Sequence, residues 1–229
     1  MVDIHSHVLP DVDDGSQSIE SSLNMLESLS QIGVTDVVLT PHYRGTFLKE
    51  KEEILNKFNE FKKQAEKIPV NLYIGQEIYA TKDAMNRLYE GKLLTLNDTK
   101  YVLLEFSYCD YTDITEEVYV AKRKGFIPIV AHAERYEYLG LDDICEIKSL
   151  GGLIQINASS LVKKISKTYF RRVLKLLDND LVDFVAGDLH EFREHYLLQA
   201  KTLIEKKYGK QRTKRLFVEN AYNIIKGQA

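Results

Sequence analysis

The sequence is poor in the residues that would place it in a special structural class. Among 229 residues there are two Cys, four Pro, 12 Gly and no Trp. Two cysteines, Cys109 and Cys145, are too few for a disulfide framework in a chain of this length, so we expect both to be reduced and the protein to be cytoplasmic. The low Pro and Gly content excludes collagen-like and low-complexity disordered chains.

The chain also lacks an excess of either charge and any long apolar run. Its 31 Lys and Arg face 34 Asp and Glu, and this balance argues against binding to nucleic acid, which depends on a basic surface. The apolar runs end within about eight residues, far short of the roughly 18 that a membrane helix needs, and no basic segment precedes an apolar one near residues 1–5. We therefore expect no signal peptide, no membrane insertion and a single domain over residues 1–229.

A four-part pattern recurs along the chain: a helix-like segment, a Gly, a short apolar run and then a polar residue. It is clearest around Gly33, Gly125 and Gly151. Nearly all of the apolar runs are continuous rather than alternating, which is typical of parallel strands covered by helices. Seven strands are predicted, at residues 2–4, 34–39, 70–74, 101–104, 126–130, 153–156 and 181–186. They indicate an α/β fold and fit a small barrel with its site at the carboxyl ends of the strands.

Histidine is scarce, but most copies follow predicted strands. Five of the six lie at strand ends: His5, His7, His42, His132 and His190. One strand-end His alone is more often a structural hydrogen-bonding residue than a ligand, whereas five together favour a metal site. His5 and His7 are two residues apart, so their rings leave the same face of one strand, and Asp188 and His190 repeat this spacing. We interpret His195, in a helix-like stretch, as a surface residue.

The other ligand candidates are carboxylates at two strand ends and in the loop after the first strand: Glu77, Glu105, Asp11, Asp13 and Asp14. Glu105 directly follows a buried strand with no evident partner, a cost that a metal would relieve. Glu77 could instead cap the next helix, and we interpret Asp11 and Asp13 as solvated turn residues. More than four imidazole and carboxylate ligands without a thiolate favour two or three divalent ions in an open catalytic site over one structural zinc.

Arg135, three residues after His132, could form a surface ion pair or bind a phosphate with two parallel hydrogen bonds. A cysteine phosphatase is excluded, because the loop of that class would need Arg six residues after Cys109, where Thr115 stands. A ring slot near the site could be lined by aromatic residues in loops after the strands, namely Tyr43, Phe47, Tyr108 and Tyr111.

The candidate residues belong to short motifs at the predicted strand ends: His5-Ser6-His7, Asp11-Val12-Asp13-Asp14-Gly15, Thr40-Pro41-His42, Gly75-Gln76-Glu77-Ile78, Leu104-Glu105-Phe106, Ala131-His132-Ala133-Glu134-Arg135-Tyr136 and Asp188-Leu189-His190. Together these motifs resemble the polymerase-and-histidinol-phosphatase (PHP) superfamily. More closely, the chain is similar to the bacterial tyrosine-protein phosphatases of capsular and exopolysaccharide operons, the CpsB/YwqE type. The resemblance covers essentially the whole chain.

This resemblance implies a distorted (β/α)7 TIM-like barrel, the PHP fold, with two or three divalent ions. Manganese is the first choice, and iron or zinc are alternatives. By motif position the resemblance implies nine metal ligands: His5, His7, Asp14, His42, Glu77, Glu105, His132, Asp188 and His190. Arg135 would bind the phosphate. Arg193 corresponds to a second phosphate-binding Arg of the family, although the stretch after Asp188 and His190 is shorter here and lacks the usual Pro.

The implied reaction is hydrolysis of phosphotyrosine by in-line attack of a metal-bound hydroxide, with Asp188 or His190 as a possible proton donor. The implied partner is the phosphotyrosine tail of a bacterial tyrosine autokinase that regulates capsule or exopolysaccharide synthesis. Two alternatives remain open. One is a histidinol-phosphatase-like enzyme for a small phosphomonoester, and the other is a metal-containing regulator of a kinase without turnover. A nuclease ranks lower, because the sequence lacks a basic channel interleaved with aromatic residues.

Overall fold

The computed structural model describes residues 1–162 and 165–226, in which short strands alternate with helices. The strands are β1 (Val2–Ser6), β2 (Asp36–Leu39), β3 (His42–Tyr43), β4 (Asn71–Ile74), β5 (Glu77–Tyr79), β6 (Tyr101–Glu105), β7 (Ile127–Val130), β8 (Leu153–Asn157) and β9 (Phe184–Ala186). The helices are α1 (Ile19–Gln31), α2 (Lys51–Gln64), α3 (Lys82–Tyr89), α4 (Ile114–Arg123), α5 (Leu141–Ser149), α6 (Lys167–Asp178), α7 (Leu197–Tyr208), α8 (Lys210–Lys214) and α9 (Asn220–Ile225).

The nine strand segments occupy seven positions in a parallel sheet. Hydrogen-bonded neighbours run β1-β2-β4 and then β3-β5-β6-β7-β8-β9. Asp36 pairs with Asn71, and His42 pairs with Glu77 with the same offset, so β3 and β5 continue β2 and β4 beyond short breaks. Pro41 lies in the break between β2 and β3, where it has no amide hydrogen to donate to the neighbouring strand.

The last strand returns to the first and closes a distorted barrel. The amide of Asp188 donates to the carbonyl of His5 at 2.8 Å, and the amide of His7 donates to the carbonyl of Leu189 at 2.9 Å. This confirms the predicted α/β barrel of the TIM-like, (β/α)7 kind. Parallel order brings all of the strand carboxyl ends to one rim, and this rim carries the polar residues discussed below.

Two strands, β2 and β9, begin later than predicted, because the first amides of the predicted strands donate hydrogen bonds to carbonyls of the preceding helix. The amide of Val34 donates to the carbonyl of Leu29 at 3.0 Å, and that of Leu181 donates to Leu176 at 3.0 Å. These are helix-ending hydrogen bonds of the Schellman type, the first made around the positive φ of Gly33 (84°) and the second around that of Asp180 (55°). Consequently β2 begins at Asp36 rather than at residue 34, and β9 at Phe184 rather than at residue 181.

The barrel interior is apolar at the amino ends of its strands. Val2, Leu103 and Phe184 belong to a buried cluster that also includes Ala221 and Ile224 of α9. The C-terminal helix therefore covers the end of the barrel opposite the polar rim. Within the described residues, no helix is both long and apolar enough to cross a membrane.

Candidate metal centre and phosphate site

Polar side chains from most strand positions meet at the carboxyl rim of the barrel. Four of them lie on strands: His5 on β1, His42 on β3, Glu77 on β5 and Glu105 at the last position of β6. The others come from loops directly after strands and include His7, Asp14, His132, Asp188 and His190. All of these residues are buried except Asp14, whose side chain is 55% exposed. The structure thus brings together all nine residues predicted as ligands.

Seven of these nine residues form three overlapping groups, each with ligand atoms within 4.8 Å of one another. The groups are His5, His7 and Glu77; His42, Glu77 and Glu105; and His7, Asp14, His42 and His190. Glu77, His7 and His42 each belong to two groups. Asp188 and His132 lie at the edges, since Asp188 Oδ1 is 3.6 Å from His5 Nε2 and His132 Nε2 is 2.8 Å from Glu77 Oε1.

Glu77 is the centre of the arrangement. Its Oε2 lies 3.3 Å from the Nε2 of both His5 and His7 and 2.8 Å from His42 Nδ1. Its other oxygen faces His132. One fully buried carboxylate among four imidazoles could contact two neighbouring cations, because Oε2 faces three of the rings and Oε1 faces the fourth.

Several buried atoms at this site have no hydrogen-bond partner among the described residues. They are Glu77 Oε2, Glu105 Oε2 and His42 Nδ1. Although His42 Nδ1 and Glu77 Oε2 are only 2.8 Å apart, their geometry does not make a hydrogen bond. Unpaired buried acceptors are costly, and a divalent cation would satisfy all three. The imidazole and carboxylate donors therefore fit Mn²⁺, Fe²⁺ or Zn²⁺.

The charges at the site favour ionised carboxylates. Burial opposes ionisation of Glu77, but the nearby His5 and His42 lower its pKa well below the usual value. Burial likewise opposes ionisation of Asp188, and His5 and Arg135 lower its pKa. Burial and the neighbouring His7 lower the pKa of His190 to about 4, so its imidazole is neutral at pH 7. Anionic carboxylates and a neutral imidazole are the forms that bind cations.

The interpretation of Asp13 as a solvated turn residue is wrong. Asp13 is buried, its Oδ2 lies 2.7 Å from His7 Nδ1, and the same oxygen accepts a hydrogen bond from the His42 amide at 2.9 Å. It therefore orients the His7 ring, as outer-shell carboxylates do in metal sites, and holds the backbone of His42. Burial opposes its ionisation, yet His7 and these hydrogen bonds lower the pKa of Asp13 to about 2. Asp11 is the exposed turn residue that was expected, with its carboxylate 3.0 Å from Lys57.

Two amide side chains of β8 were missed by sequence reasoning. Gln155 Oε1 lies 3.2 Å from His5 Nδ1 and accepts from the His132 amide at 2.9 Å. Gln155 Nε2 donates to Asn157 Oδ1, and Asn157 Nδ2 donates to Asp188 Oδ2 at 2.6 Å. β8 thus positions the ligand candidates of its neighbours. The two-residue spacing on one strand was the available signal.

Glu105 has partners that the sequence did not indicate. Its Oε1 accepts from Arg44 Nη1 at 2.8 Å and from Tyr108 Oη at 2.7 Å. Burial and the Glu105 carboxylate raise the pKa of Tyr108 well above its usual value, so the phenol stays protonated and donates. Only Oε2 remains free to face His42, from which it is 3.9 Å.

Both predicted phosphate-binding arginines lie beside Asp188. Arg135 Nη2 is 2.9 Å and Arg193 Nη1 is 3.7 Å from Asp188 Oδ2. Arg135 also donates to Tyr108 Oη at 3.3 Å, while the Arg193 side chain is 54% exposed. The shorter loop after His190 therefore still brings Arg193 to the rim, next to Arg135.

The remaining sequence candidates lie outside the three groups. His195 is half-buried in the loop before α7 rather than on a helix. Tyr43 is buried in the core, and Tyr111 is 75% exposed and packs on Tyr138. Of the proposed ring slot, Tyr108 lies 5.6 Å from the His132 ring and Phe47 lies 6.4 Å from the His42 ring.

Comparison with known families assigns the chain to one of them. A family model described as "Capsular polysaccharide synthesis, CpsB/CapC" matches residues 1–226. The chain belongs to the CpsB/CapC family. This confirms the resemblance seen in the strand-end motifs. Tyrosine-protein phosphatase CpsB of Streptococcus agalactiae, a relative of this CpsB/CapC chain, is 37% identical over 239 residues, covering 99% of this chain and 98% of the relative.

Solved structures agree with the CpsB/CapC assignment. A structure described as "Crystal structures of YwqE from Bacillus subtilis and CpsB from Streptococcus pneumoniae, unique metal-dependent tyrosine phosphatases" matches with a TM-score of 0.92 and 30% identity, covering 100% of this chain and 96% of that one. The lactonase Lmo2620 from Listeria monocytogenes matches with a TM-score of 0.62 and 12% identity, covering 98% and 94%. This more distant match shows a shared fold alone.

Proposed function

We propose that residues 1–229 form one metal-dependent protein-tyrosine phosphatase domain that acts in capsule or exopolysaccharide synthesis. The observation that carries this proposal is that two features occur side by side at the carboxyl rim of the barrel. A buried cluster of imidazoles and carboxylates lies beside two guanidinium groups, those of Arg135 and Arg193. The first feature suits divalent cations and the second suits a phosphate dianion. The relatives described as tyrosine phosphatases support the choice of reaction.

The nine clustered residues would hold two or three divalent ions, with manganese as the first choice and iron or zinc as alternatives. They are His5, His7, Asp14, His42, Glu77, Glu105, His132, Asp188 and His190. Bound divalent ions supply positive charge to phosphoryl oxygens and lower the pKa of a water molecule that attacks phosphorus. The protein contributes the fixed ligand geometry, with Asp13 and Gln155 orienting the rings.

The arginines bind and orient the phosphate. Arg135 is largely buried and already directs one guanidinium nitrogen toward Asp188 and the other toward Tyr108. Its planar group can therefore contact two phosphate oxygens in one orientation. Arg193, in the loop after β9, also lies near Asp188 and can contact the same phosphate. The leaving phenol has a pKa of about 10, so it needs less help from an acid than a serine alkoxide would. Asp188 and His190 are the candidates for moving the proton.

The proposed partner is the phosphotyrosine tail of a bacterial tyrosine autokinase, and the proposed location is the cytoplasm. The family description names capsular polysaccharide synthesis, and phosphotyrosine phosphatases of such a pathway need a phosphorylated protein as substrate. Cys109 and Cys145 are free and exposed, which is compatible with a reducing compartment.

The test is phosphate release by purified protein that has been stripped with a chelator and then supplied with Mn²⁺, Fe²⁺ or Zn²⁺. A phosphotyrosine peptide and histidinol phosphate are compared as substrates. We expect metal-dependent release from the peptide. A preference for histidinol phosphate would assign the chain to small-molecule phosphatases, and metal binding without turnover of either substrate would assign it to non-catalytic regulators.

A matched pair of histidine variants controls this experiment. His42→Ala removes a residue shared by two ligand groups and should lower kcat at least about 100-fold, as loss of one preorganised charge typically does. His195→Ala removes a half-buried imidazole outside these groups and should leave both turnover and metal content unchanged. Equal activity of the two variants would contradict the proposed site.

A further inference from the structure

A cleft of about 600 Å³ opens beside the metal centre on the side of the two arginines. Tyr108, Arg135 and Arg193 lie at its inner end, since they contact Glu105 or Asp188, and its lining also includes Tyr169 and Tyr196. We propose that this aryl cleft binds the phenyl ring of the phosphorylated tyrosine and thereby selects aryl over alkyl phosphates. The inference rests on the proposed phosphatase function, but it assigns a role to Tyr169 and Tyr196, to which the family resemblance gives none.

The positive charges of the two arginines determine that the phosphate end of a monoester lies deepest in the cleft. The guanidinium groups of Arg135 and Arg193 lie at the inner end, next to Asp188 and the metal ligands. A phosphate dianion held there must direct its ester oxygen and the attached group away from the barrel. The rings of Tyr169 and Tyr196 also line the cleft and are available to that attached group.

The inner ring of the cleft is held rigidly. Tyr108 stacks on Tyr136 with ring centroids 5.6 Å apart and planes 19° apart. Its hydroxyl is bound to Glu105, and the Arg135 guanidinium lies 5.9 Å from its ring centre. A ring fixed on one face and partly open on the other offers a preorganised stacking surface.

Two more aromatic rings of the cleft, those of Tyr169 and Tyr196, come from the starts of two helices. Tyr169 lies in the first turn of α6, where its amide is bound by the capping hydroxyl of Ser166. Tyr196 is the residue before α7, and its hydroxyl donates to Glu194 at 2.7 Å. Both rings are half-buried. Both rings therefore belong to residues whose backbone lies at the start of a helix and lines the cleft.

The size of the cleft fits an aryl group with part of a peptide. Ligand pockets are typically about 300–1,000 Å³ with apolar or aromatic walls and a few convergent polar groups, and this cleft has both features. A linear alkyl phosphate could enter but would not stack on the rings. The phosphate therefore supplies affinity for any monoester, and the tyrosines supply the preference for an aromatic one.

The test compares two non-hydrolysable probes that differ by the ring alone, phenylphosphonate and methylphosphonate. Their affinities for the Mn²⁺-loaded protein are measured by calorimetry, which does not require turnover. We expect Tyr169→Ala and Tyr196→Ala each to lower the phenyl-to-methyl affinity ratio by about two- to tenfold, the range that one aromatic contact gives. Tyr169→Phe and Tyr196→Phe keep the ring and should restore the ratio.

Tyr119→Ala is the matched control, because Tyr119 lies on α4, is 41% exposed and does not line the cleft. It should leave the ratio unchanged. An unaltered ratio in both cleft variants, or an equal change in the control, would overturn the aryl cleft. The proposed function fails separately, if the wild-type protein binds phenylphosphonate preferentially but does not hydrolyse a phosphotyrosine peptide.

Discussion

At the scale of single residues, Glu105 shows how hydrogen bonds fix the orientation of a candidate metal ligand. Arg44 and Tyr108 both donate to Oε1, so the carboxylate cannot rotate freely and only Oε2 faces His42. Such outer-shell hydrogen bonds commonly affect metal affinity by about 10–100-fold. Arg44 lies directly after β3, where no sequence motif marks it, and only the folded barrel reveals its contact with β6.

We expect Arg44→Ala to weaken Mn²⁺ binding by about tenfold, because Glu105 loses one of the two donors that orient it. Calorimetric titration of the chelator-stripped protein measures the effect. Arg87→Ala is the control, since Arg87 also donates to a glutamate, Glu50, at 2.7 Å but on the outer surface. Unchanged Mn²⁺ affinity in Arg44→Ala would show that Tyr108 alone orients the carboxylate.

Arg135→Lys should lower kcat/KM for a phosphotyrosine peptide by about 100-fold while leaving Mn²⁺ affinity unchanged. Lysine keeps the charge near Asp188 but cannot bind two phosphate oxygens with a planar group. Steady-state kinetics and calorimetry on the same preparation separate the two effects. Arg123→Lys, in the last turn of α4, is the control. A loss of metal in Arg135→Lys would instead assign Arg135 to the support of Asp188.

At the scale of secondary structure elements, the loop after β1 is the most constrained. Gly15 lies against β1 so closely that a Cβ atom there would be 2.1 Å from the carbonyl oxygen of His7. The amide of Ser16 donates to the same carbonyl at 3.0 Å. This close approach brings Asp13 and Asp14 over the metal centre.

Gly15→Ala should therefore displace this loop, because the added methyl group meets backbone that cannot yield. We expect a loss of stability of about 1–3 kcal/mol, as for other overpacked sites, together with weaker metal binding. Thermal melting and calorimetry measure the two effects. Gly140→Ala is the matched control, since the nearest atom to its added Cβ would be an Asp143 carboxylate oxygen at 3.3 Å. Similar melting and metal affinity in both variants would contradict the steric argument.

The elements themselves were largely predictable, because continuous apolar runs and glycine helix ends are local signals. The seven strand positions and the ligand candidates at their ends follow from them. The short β3 and β5 were not predicted, since Pro41 and Gly75 separate them from their parent strands. Asp13, Gln155 and Arg44 were missed as well. Their importance depends on neighbours distant in sequence, and such contacts exist only in the closed barrel.

At the scale of the whole molecule, the candidate metal centre brings together residues from strands and loops all around the rim of the barrel. Its residues come from β1, β3, β5 and β6 and from the loops after β1, β7 and β9, while β8 contributes the supporting Gln155 and Asn157. Without cations, this rim holds several carboxylates and imidazoles in a buried space, which is unfavourable for folding. Cations that bind only the folded chain should therefore stabilise the barrel as a unit.

We expect the melting temperature of the chelator-stripped protein to rise when Mn²⁺ is added. At a Mn²⁺ concentration about 100 times the dissociation constant, one site contributes about 2.7 kcal/mol, which corresponds to roughly 5–10 °C for a chain of this size. Calorimetric melting measures the shift. The His195→Ala protein should show the same rise, and His42→Ala a smaller one, since His42 belongs to two of the three groups. An identical rise in both variants would mean that Mn²⁺ stabilises the fold from a different place, because only a site at the barrel rim depends on the imidazole of His42.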